Sequence, residues 1–286
     1  MYALPGAPAT LGESPLRRGD SELVFVDMRA GAVHRVDLAT QESTVTTIPG
    51  TPVPYLGAVV EIADGGLAAV TLHDVIRVPE DSGGDPELLG SIIESADLRL
   101  NDAAVDPLGR LWVGSTSVTG EPGRGALHIW TRGSPAETVL SGLTLPNGIG
   151  WSPDGTTGYL VDSRDGVVLA VSLDTATGTV GDVVRFAETG AEGEPDGLAV
   201  AADGTVWVAV WDGACVRRYA PDGRLVESID LPVTRPTACA FGDHELYITT
   251  ARHGLSEDTL AAQPLAGRTL RLPVDVADVA HGRLAP

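Results

Sequence analysis

Four residues offer side-chain oxygens at a recurring kind of position: Glu13 in GESP, Asn101 in RLND, Asn147 in PNG and Asp196 in EPDG. Two carboxylates and two amides suit a hard divalent cation such as Ca2+ or Mg2+, and two carboxylates roughly neutralise it. Zn2+ also accepts carboxylates, although no histidine belongs to the set. Without a cation, Glu13 and Asp196 would face each other away from bulk water, and one would tend to hold a proton. Each residue has an ordinary explanation too. PNG and PDG are common turn sequences, a glutamate near the N-terminus is commonly solvated, and Asp102 can simply bond backbone at a strand start. The Asp-Gly pairs at 152–155, 202–204 and 221–223 are read as such turns. Asn147 and Asp196 differ in position: they precede the first strand of a repeat and not the second.

Those repeats must bring the four together. Helical periodicity is scarce and short strand-like runs dominate. One kind recurs about every 45 residues: LVFVD at 23–27, LAAVT at 67–71, LWVGS at 111–115, GYLVD at 158–162, VWVAV at 206–210 and LYITT at 246–250. A turn precedes most of these runs, as in DPLGR at 106–110. A further strand follows each, for example AVHRVDL at 32–38, and an outer strand often comes after, such as TVTTI at 44–48. Ahead of the turns lie strands rich in Gly and Ala, including AAVDP at 103–107, GIGWS at 148–152 and GLAVA at 197–201. Small side chains suit a strand that lines a crowded central channel. The expected fold is therefore all-β: a six-bladed β-propeller with four-stranded antiparallel blades, residues 1–286 forming one domain. A β-sandwich would not require the repeat, and a TIM barrel would need long helices between the strands. Closure is expected to pair an N-terminal strand with the last blade. Because innermost strands start at one end of the channel, residues distant in sequence converge there, and concave mouths favour ligands.

Composition narrows the partners. The formal charge of −20 argues against nucleic acid. No run of about 18 apolar residues predicts a membrane span, and the N-terminal stretch lacks the basic start and apolar run of a secretory signal, so a cytoplasmic protein is expected. Cys215 and Cys239 form no CxxC pair; a disulfide or two inert thiols are both open. The six histidines share no ligand spacing and are read as surface or turn residues, with His253 able to reach the channel mouth. No serine sits in a G-x-S-x-G setting, and no phosphate-binding glycine pattern occurs.

An ordered set of segments resembles the SMP-30/gluconolactonase/regucalcin family over nearly the whole chain: GESP at 12–15, RLND at 99–102, VDPLGRLWVGS at 105–115, LPNGIGWSPDGT at 145–156, VDS at 161–163, EPDGLAV at 194–200 and CAFGDHELYITTAR at 239–252. The resemblance implies a six-bladed fold, one divalent ion and hydrolysis of sugar lactones or related cyclic esters. It implies Glu13, Asn147 and Asp196 as metal ligands, and Arg99 and Asn101 as substrate contacts, moving Asn101 out of the ligand set. The cation implied is Ca2+ foremost, with Zn2+, Mg2+ or Mn2+ as alternatives. Three departures concern the substrate: LRRGD at 16–20 stands where the family usually has a tryptophan, GST at 114–116 stands where it has GTM, and Thr119 stands where some members have a glutamate, with Glu121 two residues on.

The expected chemistry is polarisation of a lactone carbonyl by the metal, with Asp196 orienting or deprotonating the attacking water and Arg99 and Asn101 binding substrate. Asp196, Arg99 and Asn101 are thus the expected catalytic set. The alternatives are a non-catalytic propeller binding metal or metabolite, and an aryl-ester or phosphotriester hydrolase using the same metal site. The expected partner is a small lactone, and the chain is expected to be a monomer or weak homodimer.

Overall fold

A computed structural model describes residues 1–49, 55–79, 84–190, 192–277 and 282–286. It is an all-β six-bladed propeller, each blade a four-stranded antiparallel sheet. Five blades are continuous in sequence. Blade three, for example, runs outward through Leu98–Val105, Leu111–Ser117, Gly125–Trp130 and Glu137–Leu143. Blade six takes Pro236–Gly242, Glu245–Thr250 and Leu270–Pro273, and receives Tyr2–Ala3 as its outermost strand. The N-terminus therefore closes the ring, as the sequence predicts.

The core is distributed between blades. Six apolar clusters fill the six junctions, because each sheet has two faces and each face meets a neighbour. Trp207 of blade five meets Phe241 of blade six edge-on, with centroids 5.6 Å apart, and Trp112 meets Trp151 across the junction of blades three and four at 4.8 Å. Such pairs add about 0.5–1.5 kcal/mol to plain burial. Leu4, Leu23, Phe25 and Tyr247 seal the junction between the last blade and the first.

Turns earn their residues chemically. In DPLGR, the fully buried Asp106 accepts from the Leu108 and Arg110 amides, from Arg110 Nε and from Trp112 Nε1. One helical turn, Glu257–Ala262, was not legible in the apolar pattern. It is too short to show periodicity; its signal is Ser256, whose hydroxyl caps it by accepting from the Thr259 amide. Among the described residues no helix is long and apolar enough to cross a membrane.

The histidine expectation needs correction. His34 and His128 are buried: His34 stacks on Phe25 at 4.6 Å, and His128 bridges Ser115 Oγ (2.8 Å) and Thr138 Oγ1 (3.0 Å) between strands. A ring that meets polar partners on a sheet is absorbed by packing. His244 lies in a turn at φ 55°, as expected, and His281 lies outside the described residues. Cys215 and Cys239 are both free and buried, which decides for two thiols over a disulfide.

Candidate metal centre and substrate cavity

The innermost strands begin earlier than their Gly/Ala runs suggest, and the candidate residues lie inside them. The register breaks between Glu13 and Leu16, Leu100 and Ala103, Pro146 and Ile149, Pro195 and Leu198, and Pro236 and Ala238. The first four breaks each enclose or adjoin a candidate residue, and a bulge re-aims side chains that regular pleating would send into a blade junction. PNG at 146–148 and PDG at 195–197 are therefore not turns. Their glycines are required by the next blade: a Cβ on Gly148 would lie 2.5 Å from Leu198 N, and one on Gly197 would lie 2.3 Å from the Ala238 Cβ.

The bulges are tied to one another around the axis. Thr237 of blade six donates to the Gly12 carbonyl of blade one. Ser14 exchanges hydrogen bonds with the Val59 backbone of blade two, adopting φ 49° to do so. Tyr55, ahead of blade two's first strand, donates to the Leu100 carbonyl of blade three (2.8 Å). Asn101 Nδ2 donates to the Pro146 carbonyl of blade four (3.0 Å). Asn147 Nδ2 donates to Asp196 of blade five. Gly197 then packs against blade six. Blade ends support the ring from behind. Asp27 accepts from the amides of Thr10 and Leu11, and Asp162 from those of Thr144 and Leu145, fixing the approach to Glu13 and Asn147.

Glu13, Arg99, Asn101, Asn147 and Asp196 all line one cavity of about 410 Å³ at the mouth, with Trp211, Asp212 and His253 at its rim. His253 thus stands at the mouth, 3.2 Å from Arg29 Nη2. Glu13, Asn101, Asn147 and Asp196 are each at most 8% exposed. A second cavity of about 130 Å³ runs between the small-residue strands, lined by Ala104, Ile149, Leu198, Cys239 and the partly exposed Asp102. Asp102 accepts from the Ala103 amide at 2.8 Å, the backbone role expected of it.

Electrostatics at the cavity floor favour a cation. Burial, then Asp196 and Asp102, push the Glu13 carboxyl well above the ordinary range. Burial and Asp102 likewise raise Asp196, against a lowering hydrogen bond from Asn147. Asp102 is pushed up to about 7 by burial. Glu13 and Asp196 are thus two buried carboxyls on one cavity whose ionisation burial opposes, with Asp102 adding like charge from the neighbouring cavity, and a divalent ion relieves that arrangement.

The donor chemistry fits such an ion in one specific way. Among the described residues no group of three or more His, Cys, Asp or Glu side chains is placed to hold a metal. A cation here must therefore use an amide oxygen beside two carboxylates. Asn147 supplies it: its Nδ2 is engaged by Ser163 Oγ at 3.2 Å and by Asp196, leaving Oδ1 without a hydrogen bond among the described residues. Asn101 is different. Its Oδ1 already accepts from Arg99 Nη1 at 2.7 Å, and one Nδ2 hydrogen goes to the Pro146 carbonyl, so among the described residues its second N–H is the group left for a substrate.

Glu121 does not replace the family glutamate. It pairs with Arg124 on an exposed turn and does not line the cavity, while Thr119 bonds Ser117. Tyr55 and Ser163 were missed as site residues. Ser163 carries a signal, the VDS segment; Tyr55, an uncharged residue in the YLG segment at 55–57, carries no sign of a site role.

A family model described as the SMP-30/Gluconolactonase/LRE-like region matches residues 11–252. The chain is 31% identical over 281 residues to 6-deoxy-6-sulfogluconolactonase of Pseudomonas putida, covering 96% of this chain and 94% of that one. It is 33% identical over 246 residues to a pentonolactonase of Haloferax volcanii, covering 84% and 81%. Its fold superposes on a calcium-binding protein, regucalcin, from Agrobacterium tumefaciens with TM-score 0.90 at 28% identity, covering 99% and 96%.

Proposed function

The chain belongs to the SMP-30/gluconolactonase/LRE-like family, and from that premise we propose a divalent-metal-dependent hydrolase that opens a small lactone, a sugar lactone or related cyclic ester, to the hydroxy acid. The observation that carries the reading is the Asn147 Oδ1, without a hydrogen bond among the described residues, on the same cavity as the raised carboxyls of Glu13 and Asp196. These three would hold the cation, with Ca2+ the first choice for an all-oxygen set. A cation bound there supplies Lewis-acid polarisation of the lactone carbonyl.

The remaining work falls to side chains. Asp196 orients the attacking water and takes its proton. Water adds to the acyl carbon, the ring acyl–oxygen bond breaks, and the ring oxygen leaves as the product hydroxyl after receiving a proton. Arg99 uses only Nη1 within the protein, so its Nε and Nη2 have no hydrogen-bond partner among the described residues and face the bound lactone's hydroxyls or the new carboxylate. Relatives named for lactone hydrolysis support the substrate class. A small-molecule partner and a cytoplasmic setting complete the reading.

Two observations favour a second reading, a propeller that binds metal or metabolite without turnover. The direct Asn147–Asp196 bond and the lack of a three-membered His/Cys/Asp/Glu cluster among the described residues leave a modest ligand set. The test is proton release from a lactone panel, with and without chelator, alongside Asp196→Asn. The hydrolase reading expects loss in both. Full activity in chelated protein and mutant overturns it; Ca2+ binding with no turnover on any lactone selects the second reading.

A further inference from the structure

We propose that Tyr55 is a positioning residue that aims Arg99 and Asn101 into the cavity, an inference that rests on the lactone-binding reading of those two side chains. Tyr55 is 7% exposed and does not line the cavity. Its hydroxyl accepts from Arg99 Nη1 at 2.5 Å and donates to the Leu100 carbonyl at 2.8 Å. Its ring lies under the guanidinium, 5.4 Å from Arg99 Cζ. The same Nη1 reaches Asn101 Oδ1 at 2.7 Å and shares the Leu100 carbonyl at 3.2 Å. A single hydroxyl therefore fixes one face of the guanidinium, and through it the Asn101 amide. Leu100 is the last paired residue before the blade-three bulge, so Tyr55 also pins the point from which the bulge departs. Two residues on, Gly57 presses on the same bulge: a Cβ there would lie 2.1 Å from the Asn101 carbonyl oxygen. Blade two thus brings no charge to the site but sets the geometry of blade three's contribution.

Tyr55→Phe keeps the ring and removes the hydroxyl. The expected result is a fall of about tenfold in kcat/KM on a lactone, mainly through KM, the loss typical of one hydrogen bond to a charged group. Ca2+ affinity stays within about twofold, and in an Arg99→Gln background the same change costs less than about twofold. Tyr55→Leu, which also removes the ring, is expected to cost more. Hydrogen exchange of the Arg99 guanidinium, followed by NMR in 15N-arginine-labelled protein and assigned with Arg99→Lys, reads the contact without turnover. It should accelerate at least about tenfold in Tyr55→Phe. Unchanged exchange, or an undiminished loss in the Arg99→Gln background, overturns the proposal. A wild-type protein that hydrolyses no lactone strikes the functional reading instead, and the exchange measurement still decides whether Tyr55 holds Arg99.

Discussion

Asn147 and Asp196, 49 positions apart in the chain, meet side chain to side chain at the channel mouth through a hydrogen bond from the amide nitrogen to the carboxylate. Ser163 Oγ engages the same nitrogen at 3.2 Å, which turns the amide oxygen away from both. Orientation of a neutral ligand is thereby set by its neighbours before any ion arrives, as outer-shell partners do in metal sites.

Ser163→Ala removes one of those neighbours and leaves every proposed ligand in place. Ca2+ affinity by calorimetry should fall about tenfold, within the range for lost outer-shell partners. Unchanged affinity would mean that Asp196 alone orients the amide.

Removing a carboxylate has opposite effects on function and on the cation-free protein. Glu13→Gln and Asp196→Asn should each reduce lactone turnover at least about 100-fold. In chelator, both variants should melt above the wild type, because each removes an acid that burial and its neighbours hold above the ordinary range. A lower melting temperature in chelator would contradict the electrostatic account.

The pH dependence has a definite sign. Asp102 ionises near 3.8 in the unfolded chain and at about 7 in the fold, so the folded protein binds more protons between those values. Stability of the cation-free protein should therefore fall as pH rises from about 3.8 to about 7, and this component should vanish in Asp102→Asn. Glu13 and Asp196 act in the same direction above their ordinary values. Ca2+ affinity should rise with pH above the ordinary carboxylate range, since Glu13 and Asp196 are both shifted upward and must lose their protons to bind the ion. Parallel melting curves for wild type and Asp102→Asn in chelator would refute the assignment.

The architecture was legible because it rests on repetition: second strands such as LWVGS at 111–115 and VWVAV at 206–210 mark the blades, and the Gly/Ala runs mark the channel. The candidate set was legible because Glu13, Asn147 and Asp196 stand at matching places in those repeats. What the sequence hid was the bulge. A bulge uses Asn-Gly and Asp-Gly as a turn does, so PNG at 146–148 reads equally as either until the strand partners are seen. Tyr55 was hidden for a different reason. Its partners, Arg99 and Leu100, lie 44 and 45 positions away, and no local pattern announces a hydroxyl aimed across a blade junction. His128 shows the converse: its ligand-like chemistry is spent on Ser115 and Thr138.

The channel glycines should tolerate no side chain. In Gly197→Ala, the new Cβ would meet the Ala238 Cβ at 2.3 Å, with backbone beside it. Overpacking of this kind costs about 1–3 kcal/mol. The variant should melt lower and, because Asp196 is adjacent, bind Ca2+ less tightly. A melting temperature equal to wild type would show that blades five and six part more easily than the packing indicates.

The central claim is that Glu13, Asn147 and Asp196 share one cation. A crystal grown with Ca2+ tests it directly. The account predicts a single ion at the mouth of the channel, bonded to all three side chains at about 2.4 Å, with Asn147 contributing its oxygen. An ion bound elsewhere with this trio still hydrogen-bonded to itself, or no ion at all at saturating Ca2+, would contradict it.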